Sequence, residues 1–456
     1  MPLSTGLTGF ELKLNAELAE CGRRLSKFFK IMVHEPPSQE ISRTLAIPEL
    51  LAPAGSFEKM VTAIHYGADA VYLGGKQYSL RARAANFTGD DLPRAVAYAH
   101  ARGVKVYVTV NIFAHNRDLA DLEPYLLDLQ GYGVDGLIIS DPGILSIARR
   151  VLPSMALHLS TQANVTNSAS AQFWADQGVR RLNLARELGL EEIQAIRQAT
   201  TAELEVFVHG ALCISYSGRC MLSSYFTGRS ANHGDCAHPC RYSYAVVEEK
   251  RPGQYFPVEE DERGTYIFNA KDLCLLEQLP RLVAAGVSAL KIEGRMKSVG
   301  YVGAVVRVYR LALDWIKMQL FSGESAVSLV LPEAFHNEIS KIGTRGQTEN
   351  FFSTKPSSGD MLYDRMRLEQ TYVPVALVLD TAPLQVETRQ VLHCGDQLEY
   401  LGRAIEPVQT HVVGMSLDGQ TEVARANPGQ RVILRTEPPL LDAEKNAILR
   451  KQIDAP

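Results

Sequence analysis

Four cysteines fall within 28 residues, Cys213, Cys220, Cys236 and Cys240, with the spacing C-x6-C-x15-C-x3-C. The whole chain has only seven cysteines in 456 residues, so chance clustering of four is a poor explanation. Four thiolates are enough to complete a tetrahedral metal site or to hold an iron–sulfur cluster. Soft sulfur ligands select zinc or iron–sulfur over hard cations. Structural zinc sites usually use two short C-x2–4-C knuckles. Here only the second pair is short, which leans toward a four-iron cluster, although the spacing by itself leaves zinc open. The arrangement is not the C-x3-C-x2-C triplet of radical-SAM enzymes. Gly210, Gly218, Gly228 and Gly234 would let the segment wrap tightly round a metal. Of the other cysteines, Cys274 in "NAKDLCLLEQLP" is a reserve ligand, but the pattern places it on the apolar face of the following helix. Cys21 reads as a packing residue, and Cys394, beside a turn in "HCGDQ", has no metal role.

The same segment carries Arg219, Arg229 and Arg241 among Tyr216, Tyr225, Phe226, Tyr242 and Tyr244. Cations interleaved with rings are what single-stranded RNA requires: charge for phosphates and faces for stacked bases. On composition alone, solvated arginines over a tyrosine-lined core are slightly favoured. Net charge is -4, so the chain as a whole is no binder of polyanions and any RNA contact must come from a local patch.

These residues need a scaffold, and the chain from residue 46 supplies a repeating one. Apolar β-branched runs, "PELLAPAG", "AVYLGG", "VKVYVTVNI", "GLIIS", "LHLSTQAN", "RLNLARE", "ELEVFVHG" and "SALKIEGR", alternate with helical stretches. Ser56, Asp90 and Asp141 are expected N-caps, and Gly67, Gly103 and Gly178 sit near expected helix ends. Strict alternation implies a parallel sheet, and eight units fit a (β/α)8 TIM-like barrel over 46–320 better than an open sheet. No G-x-G-x-x-G follows the first strand, which weakens a dinucleotide fold. Asn111, Ser140, Asp141, Gln162, Asn164, Arg186, Glu187, His209, Glu293 and Arg295 fall at or just beyond strand C-termini. Those ends converge on the face where barrel active sites lie. Any one of these residues alone would read as a helix cap; ten together favour a site. Asn111, Gln162, Asn164, Arg186, His209 and Glu293 are the catalytic candidates. The cysteine loop, 209–244, leaves the seventh strand on the same face.

Residues 1–45 read as an extension, with Phe10, Leu14, Leu18, Cys21, Leu25 and Phe28 at helical spacing, most simply a surface-docked helix. Residues 321–356 read as a partly helical connector. Residues 357–456 change to short strands, "VPVALVL", "QLEYLG", "HVVGMS" and "RVILRT", separated by Gly, Asp and Pro turns, and are expected to form a small β-barrel. No stretch reaches the roughly 20 apolar residues of a membrane helix, and the N-terminus lacks a signal-peptide pattern. The expectation is a cytoplasmic protein, where thiols stay reduced and clustered cysteines point to metal or catalysis.

Taken together, "ELLAPAGSFEKMVTAIHYGADAVYLGG", "YSLRARAANF", "HLSTQANVTN", the cysteine loop, "DERGTYIFNAKDL" and "LKIEGRMKS" resemble the collagenase-like peptidase family, a family of unassigned peptidase mechanism. The match runs from about residue 48 to 310, and the C-terminal β-domain is similar as well. The resemblance is greatest to members that hydroxylate tRNA. It implies oxygen-independent, prephenate-dependent conversion of the wobble uridine to 5-hydroxyuridine, with a [4Fe-4S] cluster on Cys213, Cys220, Cys236 and Cys240. With it come tRNA and a small dicarboxylic acid as partners and no membrane. Arginine matches a carboxylate bidentately, so Arg81 and Arg83, with Arg186 and Arg295, are candidates for the acid, and Arg219, Arg229 and Arg241 for RNA phosphates. Two features depart from the family pattern: the N-terminal 45 residues and a short insert after Cys240. The alternatives are a peptidase and a cluster-bearing accessory protein. No H-E-x-x-H or G-x-S-x-G occurs, and a ligated thiolate is no free nucleophile for His209 to activate.

Overall fold

The computed structural model describes residues 46–79, 86–212, 237, 271–342, 346–353 and 371–453, with backbone strands at 246–247, 255–256, 259–261 and 264–266. The expected N-terminal helix lies outside them. Eight parallel strands close a barrel: β1 (Glu49–Pro53), β2 (Ala70–Gly74), β3 (Lys105–Val110), β4 (Gly136–Ile139), β5 (Ala156–Leu159), β6 (Arg181–Asn183), β7 (Glu203–Gly210) and β8 (Ala289–Ile292). β8 pairs with both β7 and β1, which completes the ring. The helices α1 (Phe57–His65), α2 (Asp91–His100), α3 (Leu122–Gly131), α4 (Pro142–Val151), α5 (Ser168–Asp176), α6 (Leu190–Ala199), α7 (Leu279–Ala284) and α8 (Val299–Phe321) surround it. All eight expected strands form, in the expected (β/α)8 order. Among the described residues no helix is long and apolar enough to cross a membrane.

Local chemistry sets the helix boundaries. Ser56 accepts a hydrogen bond from Lys59 N at 3.3 Å and Asp141 accepts one from Ile144 N at 3.0 Å, as N-caps do. Asp90 does not cap α2. Thr88 and Asp91 do so reciprocally: Thr88 Oγ1 accepts from Asp91 N at 3.1 Å and donates to the Asp91 carboxylate at 2.7 Å. Gly67, Gly103 and Gly178 take positive φ at helix ends.

Strand parity divides the barrel wall. Leu50, Ala52, Val71, Leu73, Val106, Val108, Leu137, Leu157, Leu182, Leu204, Val206 and Leu290 point outward into the shell beneath the helices. Their neighbours face the lumen, and most are polar. The register runs Leu51↔Ala70↔Lys105, Tyr107↔Gly136↔Ala156, His158↔Arg181↔Glu203 and Glu205↔Ala289↔Glu49. Closing the circuit takes four upward steps of two residues, the stagger of eight typical of this barrel. The lumen is therefore layered. Ala70, Gly136, Arg181 and Ala289 lie lowest, then Leu51, Tyr107, His158 and Glu205. Tyr72, Ile138, Asn183 and Lys291 come next, and Pro53, Thr109, Ser160 and Phe207 lie toward the strand C-termini. Its lower half carries buried ion pairs beside an apolar cluster of Leu51, Ala70, Tyr72, Tyr107 and Ile138. Arg181 meets Glu49 at 2.6 Å and Glu205 at 3.6 Å, and Lys291 Nζ meets Glu205 at 2.7 Å.

After β7 the chain returns to the sheet as a short antiparallel strand, Asp272–Cys274, in which Cys274 pairs with His209. Cys274 is thus on a strand, not on the apolar face of α7. The pairing partner β7 sets this strand, and local pattern gives little sign of it. Gln347–Thr348 pairs beside it, after a helix, α9 (Glu333–Ser340). A closed six-stranded antiparallel barrel follows, from β9 (Tyr372–Thr381), β10 (Leu384–Thr388), β11 (Gln397–Leu401), β12 (Val408–Ser416), β13 (Arg431–Glu437) and β14 (Ile448–Gln452), in the order β9-β10-β13-β12-β11-β14. It has its own core of Val375, Val378, Val386, Leu398, Met415, Val432 and Leu449. Docking on the large barrel is polar and specific. Tyr66 donates to Leu401 O and accepts from Ile448 N, both at 2.9 Å. Arg307 donates to Gly402 O at 2.7 Å, and Glu338 on α9 accepts from Arg450 at 2.9 Å.

Candidate functional site

The strand C-termini gather three groups of the expected residues. In the first, Gln162 follows β5 on a turn of 3-10 helix, Thr161–Ala163. Its Oε1 accepts from Asn111 Nδ2 at 2.8 Å, Ser140 Oγ at 2.9 Å and Ser160 Oγ at 3.1 Å. Ser140 Oγ also reaches Asn111 O at 3.1 Å, so β3, β4 and β5 are tied at their ends. Asn164 closes the turn in the left-handed region, with φ 54°, which asparagine tolerates better than most residues.

Arg295, beyond β8, organises the second group. It is buried and donates to Ser79 Oγ at 3.0 Å, Thr109 Oγ1 at 3.3 Å and Asn86 Oδ1 at 2.6 Å. Ser79 and Thr109 share a further bond of 2.6 Å. Glycines make room for this arginine: a Cβ on Gly74 would lie 2.3 Å from its Nη2, and one on Gly55 would lie 1.9 Å from its carbonyl oxygen. Arg295 therefore clamps the chain after β2 to β3 and β8.

The third group lies where β7 ends. His209 is buried, with Nδ1 3.3 Å from Tyr309 OH. Tyr309 gives its proton to Val208 O at 2.8 Å, so its oxygen accepts from His209 Nδ1–H. Burial pushes the His209 imidazole down to about 4; nearby Asp272 opposes this and Lys297 adds to it. The ring is neutral at neutral pH. Cys274 Sγ lies 3.8 Å from the same tyrosine, and burial pushes its thiol up to about 11. Gly210 takes φ +113°, and a Cβ there would meet Glu293 O at 2.6 Å, so only glycine turns the chain out of β7 toward the cysteine loop. Glu293 N is held by His209 O at 2.8 Å. Arg186 donates to Ala211 O at 2.8 Å and covers the Phe207 ring at 3.9 Å, which braces the start of that loop.

Cys213, Cys220, Cys236 and Cys240 lie outside the described residues, as do Arg81, Arg83, Arg219, Arg229 and Arg241; Ala237, between the last two cysteines, is buried. Among the described residues no group of three His, Cys, Asp or Glu is placed to hold a metal. Four thiolates are the donor set a [4Fe-4S] cluster takes, and the segment bearing them starts from the strand end that carries His209. Asp141 serves as a helix cap. Residue types alone did not single out Ser79, Asn86, Thr109, Ser160, Asn183, Glu205, Lys291 or Tyr309. Period-two parity along each strand, counted from its apolar face, would have found most of them.

The model of peptidase family U32 matches residues 55–362. The chain belongs to that family. Among curated relatives, tRNA hydroxylation protein P1 of Bacillus subtilis is 39% identical over 370 residues, covering 80% of this chain and 86% of the relative. The tRNA hydroxylation protein P of Escherichia coli is 40% identical over 347 residues, 67% of this chain and 74% of the relative. The 23S rRNA 5-hydroxycytidine C2501 synthase of Escherichia coli is 37% identical over 356 residues, 77% of this U32 chain and 52% of the relative. Relatives of this chain are thus named for tRNA hydroxylation and for making 5-hydroxycytidine in 23S rRNA.

Proposed function

We propose that this protein is an RNA-modifying enzyme that hydroxylates tRNA, converting the wobble uridine to 5-hydroxyuridine without dioxygen and with prephenate as co-substrate. The observation that carries the reading is the agreement between relatives named for RNA hydroxylation and a barrel mouth built from amides, hydroxyls and a buried arginine. Such a mouth suits a neutral, polar, planar base better than a peptide chain. Cys213, Cys220, Cys236 and Cys240 would hold a [4Fe-4S] cluster, with Cys274, beside His209, as reserve. When bound, the cluster supplies one-electron transfer. The chain's own residues do the rest. Asn111, Gln162 and Asn164 face a base splayed from the anticodon loop, where an unpaired nucleotide costs little to unstack. Arg81 and Arg83 take the carboxylates of the acid, and Arg219, Arg229 and Arg241 take phosphates, so binding weakens with salt. A tRNA substrate places the protein in the cytoplasm.

The test is nucleoside mass spectrometry of tRNA from cells lacking the gene, and from the same cells complemented with wild type or Cys220→Ala. Loss of 5-hydroxyuridine derivatives, restored by wild type alone, is the expected result. The anaerobically purified wild type should carry iron, sulfide and a visible chromophore that Cys220→Ala lacks. Stoichiometric zinc without iron would remove the cluster. An unchanged nucleoside profile in a strain with no redundant hydroxylase would return the family's peptidase reading to first place.

A further inference from the structure

Asn183 ends β6 and faces the lumen, because Arg181, two residues earlier, points inward to Glu49 and Glu205. It is 2% exposed, and among the described residues neither its Nδ2 nor its Oδ1 has a hydrogen-bond partner. On the neighbouring strand end, Gln162 is 3% exposed; its Oε1 accepts three bonds, and its Nε2 makes none among the described residues. The register links the two: Leu159 pairs with Leu182, which sets Ser160, a partner of Gln162, beside Asn183. Buried amides are almost always paired, and leaving one open is strongly unfavourable unless something completes it. The next layer toward the C-terminal face is Pro53, Thr109, Ser160 and Phe207, and Arg186 lies over the Phe207 ring at 3.9 Å, so a base reaches Asn183 past the small Ser160 and Thr109 side of that layer.

We propose that Asn183 reads the Watson–Crick edge of the pyrimidine being modified, with Gln162 Nε2 as a second donor. The inference rests on the RNA-modifying reading above and names the residue that recognises the base. One open amide offers a donor and an acceptor side by side. These match O4 and N3–H of uracil and, turned over, N3 and N4–H2 of cytosine. A carboxylate or phosphate has no proton for Asn183 Oδ1 and would leave it orphaned, so the geometry favours a base over a small acid at this depth.

The experiment uses the full-length, cluster-bearing protein and two synthetic anticodon stem-loops, with uridine or 3-methyluridine at the wobble position. Affinity is read by fluorescence anisotropy. Methylation removes the N3 donor, so wild type should prefer uridine by about tenfold, or about 1.4 kcal/mol. Asn183→Leu should weaken uridine binding and abolish that preference with no fall in thermal midpoint, since it removes an unpaired amide at similar volume. Asn183→Asp, closer still in shape, keeps the acceptor for N3–H but sets a second oxygen against O4, so it should weaken binding of both RNAs while retaining the preference. Equal binding of both RNAs by wild type, full preference retained in Asn183→Leu, or unchanged uridine affinity in Asn183→Asp would mean that the amides hold solvent only and would overturn the assignment. If the preference follows Asn183 but cells make no hydroxyuridine, base recognition stands and the hydroxylation reading falls.

Discussion

Replacing Lys291 with Met should destabilise the protein by about 3 kcal/mol, and replacing Glu205 at the same time should restore most of that loss. Lys291 Nζ lies 2.7 Å from Glu205 Oε1, and both residues are buried in the lumen. At an effective dielectric constant of about 20 that contact contributes about 6 kcal/mol of attraction, against a desolvation cost of several kcal/mol per ion. Breaking a buried pair on one side typically costs about 3–5 kcal/mol, because one charge stays behind. Glu205 keeps Arg181 at 3.6 Å after Lys291 is lost, which puts Lys291→Met at the low end of that range. Glu205→Gln leaves the ammonium without an ion-pair partner among the described residues. Burial already lowers the Lys291 pKa, with Glu205 opposing, so this variant can shed its proton. The folded state then binds fewer protons than the unfolded state, and stability rises with pH. The Glu205→Gln defect should therefore shrink between pH 7 and 9, while that of Lys291→Met should not. The double variant should lie within about 1–2 kcal/mol of wild type, since removing both partners leaves no orphan charge. Urea unfolding midpoints of the four proteins supply the cycle. A coupling below about 0.5 kcal/mol, the level expected of independent sites, would refute the account of the lumen.

Two further outcomes follow from the barrel edges. Burial, with Arg403 adding and Glu444 opposing, pushes His65 from 6.5 down to about 4. The unfolded state binds the proton first, so this stability is present above pH 6.5 and is lost as pH falls toward 4. At pH 5 the loss should be about 2 kcal/mol, read as a smaller acid shift of the unfolding midpoint in His65→Gln than in wild type. Gly210→Ala should cost about 1–3 kcal/mol and lower cluster occupancy, because φ +113° and the approach of Glu293 O both exclude a Cβ. Iron content equal to wild type would show that the turn does not place the cysteine loop.

The eight strands were legible because each is an apolar run flanked by turn residues, with a helix-period stretch between. In the small barrel "LQVET" and "ILRKQ" were missed. Each is five residues long and about half polar; "LQVET" is the hairpin return of the strand just before it, and "ILRKQ" becomes a strand by closing the ring between neighbours distant in sequence. Asn111, Gln162 and Arg186 fell at strand ends as expected, but their partners did not follow from position. Arg295 shows why. It was expected to face a ligand, yet Ser79, Thr109 and Asn86 converge on it from more than 180 residues away. Asn183 was hidden inside "RLNLARE", where the charged Arg186 and Glu187 drew attention and the in-phase residue two places after Arg181 did not.

The lumen itself joins stability to function. A barrel of this kind is usually filled by branched apolar side chains in layers. Here most of the apolar packing lies outward, in the shell under the helices, and the interior divides between an apolar cluster of Leu51, Ala70, Tyr72, Tyr107 and Ile138 on the β1–β4 side and charged and amide groups on the β5–β8 side. Below and level with Asn183 the charged groups pair with one another: Glu49, Arg181, Glu205 and Lys291 form a chain of ion pairs across β1, β6, β7 and β8. Among the described residues His158 Nδ1 and Glu205 Oε2 stay without a hydrogen bond in that lower part, and at and above Asn183 the open amide atoms are those of Asn183 and Gln162 Nε2. Open charges would be costlier to leave buried than open amides, and would select anions. An ion-paired group beside the open amides of Asn183 and Gln162 leaves the neutral groups, not the charges, to meet a base edge, as the proposed recognition requires.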